Sequence, residues 1–98
     1  MITFEEFLEM KDSGSFQEDI PPLLQALLLD AAGDWESAHS IAQNDPSNDG
    51  SWVHAYLHRV EGDLGNASYW YQSAGRSTPE ISLEEEWEYI AMALLEKS

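Results

Sequence analysis

Residues 55–72, AYLHRVEGDLGNASYWYQ, align without a gap on residues 26–43, ALLLDAAGDWESAHSIAQ, at an offset of 29. Ala26 meets Ala55, Gly33 meets Gly62, Asp34 meets Asp63 and Ala38 meets Ala67. Glycine followed at once by aspartate has a physical reading. Glycine ends a helix by taking a left-handed conformation. The aspartate side chain then accepts a hydrogen bond from a free amide at the start of the next helix. A small residue four positions further on lets the two helices approach closely. Each segment is therefore expected to be a helix hairpin, and the chain to carry two stacked units of this kind.

Working outward, Thr3 and Glu6 in TFEEFLEM form a capping-box pattern, with Phe4, Phe7 and Leu8 on one face. DSGS at 12–15 breaks that helix, and Pro21 and Pro22 suit the start of the next. Asp34 caps a third helix with Trp35, Ala38, Ile41 and Ala42 on its apolar side. NDPSNDG at 44–50 is a dense turn signal, after which Asp49 or Ser51 is expected to open WVHAYLHRVE. In the fifth helix Leu64, Ala67, Trp70, Tyr71 and Ala74 recur at helical spacing. After the loop GRSTPE, Ser82 and Glu85 form a second capping box. A stripe of Leu83, Trp87, Ile90, Ala91, Leu94 and Leu95 follows over residues 82–97. No useful stretch alternates at period two, so the expected class is all-α, a single domain over 1–98.

GDLGNASYWYQSAGRSTP, residues 62–79, resembles the second helix of a tetratricopeptide repeat. Gly62, Asp63, Ala67, Tyr71, Ala74 and Pro79 stand at that family's Gly-Asp, small, aromatic, second small and closing Pro positions. Ala55 fits the small position of its first helix. The earlier unit is more degenerate: Ala42 replaces the aromatic, and Pro46 arrives about a turn early. His54 and His58 stand where the family usually has leucine and tyrosine. The resemblance implies antiparallel hairpins at about 20–46 and 49–79 in a short right-handed array, with a flanking N-terminal helix and a C-terminal packing helix at 82–97. It further implies a concave groove for a peptide or helix, with Asp49, Trp52, Tyr56 and Arg59 as its lining. Trp52 and Tyr56 would then form an aromatic shelf, unless the C-terminal helix fills the groove from within.

A helical wheel of residues 52–61 puts His54, His58 and Glu61 opposite the Trp52–Tyr56 face, whereas the family geometry turns the histidines inward against the next helix. His54 and His58 lie four apart, the spacing of a two-histidine metal pair, and His39 sits at the matching level of the other hairpin. HAYLH lacks the glutamate that zinc peptidases place beside their first histidine. The bland alternative is imidazoles bonded to tyrosine hydroxyls or backbone carbonyls. The acids that open the last helix read as a solvated face favoured by the helix dipole.

Nineteen acids against four bases give a net charge of −15. Nucleic-acid phosphate and anionic lipid would be repelled, and a basic protein or peptide attracted. With no cysteine, disulfides and thiolate metal sites are excluded. No apolar run approaches the roughly 20 residues of a membrane helix, and no signal peptide is visible, so a cytoplasmic location is the default expectation. The sequence thus favours a non-enzymatic protein-interaction module without a cofactor, a homodimer through the same surface being one form of it. The alternative is a small metal-binding protein or enzyme centred on His54 and His58, with His39 as third ligand and Tyr69 or Tyr71 nearby.

Overall fold

The Gly-Asp pairs reverse the chain as expected. In the computed structural model, which describes residues 2–15 and 19–98, Gly33 and Gly62 have φ of 92° and 86°. Asp34 N–H donates to Leu29 O at 2.9 Å and Asp63 N–H to His58 O at 2.9 Å, closing each preceding helix. Asp34 Oδ1 then accepts from Ser37 N, and Asp63 Oδ1 from Asn66 N, opening the next. Six helices are described: α1 Phe4–Ser13, α2 Pro22–Ala31, α3 Trp35–Gln43, α4 Asn48–Val60, α5 Leu64–Ser73 and α6 Leu83–Lys97. Among the described residues no strand occurs, and no helix is long and apolar enough to cross a membrane.

The pairs α2–α3 and α4–α5 form the hairpins, and α3 packs on α4 to join them. All four small residues matched between the two segments, Ala26, Ala38, Ala55 and Ala67, are essentially fully buried. This is what close helix crossings require, because a larger side chain there would hold the backbones apart. Both capping boxes are present, at Thr3–Glu6 and Ser82–Glu85.

One boundary differs from expectation. Ser47, not Asp49 or Ser51, caps α4, accepting from Gly50 N at 3.0 Å. Asp45 holds the cap by accepting from both Ser47 N (2.9 Å) and Ser47 Oγ (2.6 Å). Gly50 therefore lies inside the first turn of α4. It is needed for close approach, since a Cβ there would fall 2.3 Å from Asp45 O. The turn-rich composition of 44–50 concealed a helix start.

Helix α6 lies against α2 and α4, and α1 against α2 and α6. Trp87, Ile90, Ala91, Leu94 and Leu95 of α6 enter the core, and Trp87 Nε1 donates to Leu27 O at 2.9 Å. Trp87 also stacks on Phe7 of α1, with ring centroids 5.4 Å apart. Leu83 and Leu64, read as members of apolar stripes, stay exposed in the first turns of their helices. Helix α6 thus spans both hairpins, and α1 packs over α2 and α6.

Candidate functional site

Of the four residues expected to line a groove, Trp52 and Tyr56 are buried, and Asp49 and Arg59 are partly buried. Asp49 pairs with Lys97 of α6 at 2.9 Å. Trp52 meets Tyr89 of α6 edge to face and is 2% exposed. Arg59 donates to Glu86 Oε1 of α6 at 2.8 Å and to Ile81 O. Tyr56 is buried, and that burial, with the charges of Asp30 and Glu86, raises its phenol pKa well above the usual range. The face read as a groove is thus held by the C-terminal helix.

Glu86 is the residue that sequence reasoning missed there. It sits in the acidic opening of α6, yet it is 1% exposed, while Glu84 and Glu85 face solvent. Its carboxylate accepts from Tyr71 Oη at 2.6 Å and from Arg59. The Tyr71 phenol is held protonated far into alkali, first by burial and then by its bond to Glu86. The reading of a wholly solvated acidic face is corrected at this position. The signal was present: Glu86 is one residue before Trp87 and four before Ile90, on the buried side of the helix.

What stays open beside α6 is a cavity of about 390 Å³ lined by Trp52, Tyr71, Arg76, Ile81, Glu86 and Tyr89, among others. Arg76 lies over the Trp52 ring, 3.4 Å from its centroid, a cation–π contact that roofs one end. Tyr89 is half-exposed at its rim.

The second constellation is on the opposite side of α4. His54 and His58 are turned inward, 5% and 7% exposed, and His39 of α3 meets them. Helix α4 is buried on both sides from Gly50 to His58, so the Trp52–Tyr56 face and the histidine face are both covered. His39 Nε2 and His54 Nε2 are 3.0 Å apart. One ring nitrogen from each of the three histidines lies within 4.8 Å of the other two. Trp35 stacks on His39 at 4.7 Å, and Trp70 stacks on His54 at 4.0 Å. Trp35 is itself fixed by donating Nε1–H to Leu57 O. His58 Nδ1 lies 2.6 Å from Glu61 Oε2.

The imidazoles bond to one another and to Glu61, not to tyrosine hydroxyls. Tyr71 is committed to Glu86, and Tyr69 packs edge-on against Trp70. Burial, followed by the proximity of His39 and His58, pushes the His54 pKa down to about 4. Burial and His58 also lower His39. The sequence supplied the three histidines. It put Glu61 on their side of the wheel, but it did not supply Trp35 and Trp70, whose roles depend on which helix faces turn together.

Comparison of the chain with models of protein families, with characterised proteins and with solved structures returns no match.

Proposed function

We propose that this chain is a protein-interaction module built on two degenerate tetratricopeptide-like hairpins. Its α6 is the resident occupant of the concave face, and a partner segment docks at the mouth left beside α6. The observation that carries this reading is the occupied face itself. Asp49, Trp52 and Arg59, picked out as groove residues, each engage an amphipathic helix, which is the ligand type such a groove accommodates. Displacing α6 wholesale would expose Trp87, Ile90, Leu94 and Leu95, a loss beyond the reserve of a small domain. The partner therefore uses the cavity walled by Trp52, Arg76, Ile81 and Tyr89. An apolar side chain fills that cavity, and the net charge of −15 favours a flanking basic segment.

The test is a titration of isotope-labelled protein with a short lysine-rich peptide carrying one leucine, against the same peptide with glutamate in place of lysine. Expected are amide and indole shifts centred on Trp52, Arg76 and Tyr89 with the basic peptide alone, lost in Tyr89→Ala. Equal shifts with both peptides, or none, would overturn the reading.

A further inference from the structure

We infer that His39, His54 and His58 form a binding site for one borderline divalent cation of the zinc type, clamping α3 to α4 across the seam between the two hairpins. The inference concerns the opposite side of α4 from the proposed docking mouth and stands independently of it.

The geometry is close to that of a metal site before any metal arrives. Zinc–imidazole bonds of about 2.0–2.1 Å in a tetrahedral site put neighbouring ligand nitrogens about 3.3 Å apart. His39 Nε2 and His54 Nε2 are 3.0 Å apart, and the third histidine needs to close by up to about 1.5 Å, a side-chain adjustment. Two indoles hold two of the ring planes: Trp35 against His39 and Trp70 against His54. His58 carries the outer carboxylate that metal-ligating histidines characteristically have. Its Nδ1 bonds Glu61, which fixes the tautomer and leaves Nε2 as the nitrogen with a free lone pair. His54 and His58 are buried, whereas His39 is only half-buried, so a cation enters from its side and keeps a water as fourth ligand. Three neutral imidazoles without thiolate suit Zn²⁺, Co²⁺, Ni²⁺ or Cu²⁺ rather than Mg²⁺ or Ca²⁺.

The proton balance is simple. At 3.0 Å one of the two facing Nε2 atoms carries the shared proton. A cation needs both lone pairs, so that ring changes tautomer, its proton passing to its own Nδ1. Burial already disfavours the imidazolium form of His54, so no second proton has to leave that ring at neutral pH.

The test uses the full chain stripped with a chelator and titrated with Zn²⁺ alone, and separately with Co²⁺ for its visible spectrum. Expected are one equivalent of Zn²⁺ bound with a Kd below ~50 µM, a raised melting temperature, and tetrahedral-type Co²⁺ absorption. His39→Gln is expected to weaken binding at least 10-fold, and Glu61→Gln roughly 10-fold. Circular dichroism checks that both variants are folded; His39 is the least buried of the three, so its loss leaves the core in place. In the wild type, ring-nitrogen NMR signals of all three histidines must shift together at one equivalent, which tests the site even if a variant unfolds. Binding weaker than the stated limit, binding unchanged in folded His39→Gln, or Zn²⁺ shifts confined to fewer than three rings would overturn the inference.

Discussion

Glu86 is one of five acids between residues 80 and 88, yet it alone is sealed from solvent among them, held by Arg59 and Tyr71. A buried carboxylate is tolerated only while its partners remain. Arg59→Ala is expected to destabilise the domain by about 3 kcal/mol, since it strands the charge. Tyr71→Phe removes one hydrogen bond and is expected to cost about 1–3 kcal/mol. Urea unfolding measures both; an Arg59→Ala variant as stable as wild type would show that the Arg59–Glu86 pair does not hold α6 in place. His54 gives a second expectation at this scale, for metal-free protein. Its folded pKa of about 4 lies below the unfolded value of about 6.5. Between those values the unfolded chain takes up the proton and the folded one does not. Stability is therefore full above pH 6.5 and falls as the pH drops towards 4, by ~1–3 kcal/mol. The groups facing His54 and its neighbours are His39 from α3, His58 from α4 itself, Glu61 at the C-cap of α4, and the uncharged Trp70 from α5. A urea midpoint in His54→Gln that falls as steeply over this range as in wild type would place the effect elsewhere.

At the scale of the helices, the matched Gly-Asp pairs and both capping boxes were legible because they are local: each is a short run whose backbone needs are met by its own side chains. The start of α4 was not legible. Its cap depends on Asp45 folding back over Ser47, and Gly50 reads as a turn residue unless the oxygen beside it is known. The two helical glycines separate these cases. Gly50→Ala is expected to lose about 1–3 kcal/mol by driving a Cβ into Asp45 O. Gly65→Ala in α5 meets nothing within 4 Å and is expected to gain ~0.5–1 kcal/mol from helix propensity. Thermal unfolding of the pair reads both signs. Similar losses in both would deny Gly50 its close contact. The candidate sites were legible in part for the same reason. His39, His54 and His58 could be placed at one level from the repeat offset, whereas the occupation of the groove by α6 depended on which surface a distant stripe covers.

For the molecule as a whole, 15 surplus negative charges share a body with a radius of gyration of 12.4 Å. At about 0.01 M ionic strength the screening length of ~30 Å exceeds that radius, and at about 0.15 M the ~8 Å length is shorter than it. Self-repulsion is therefore expected to dominate over the few ion pairs. Raising NaCl across that range is expected to raise the melting temperature by several degrees, or about 1 kcal/mol. A fall on adding salt would mean that pairs such as Arg59–Glu86 and Asp49–Lys97 outweigh the surplus. The placement of the indoles has one more consequence. Two of the four tryptophans, Trp35 and Trp70, lie flat on imidazoles, while Trp52 lies beneath a guanidinium and Trp87 beside Lys11. Intrinsic fluorescence is thus a built-in optical gauge of the histidine cluster, because a ring that gains positive charge quenches the emission of the indole stacked on it. Acidifying the protein should dim the light from Trp35 and Trp70 before the fold opens, and single Trp→Phe replacements at those two positions should remove the early phase.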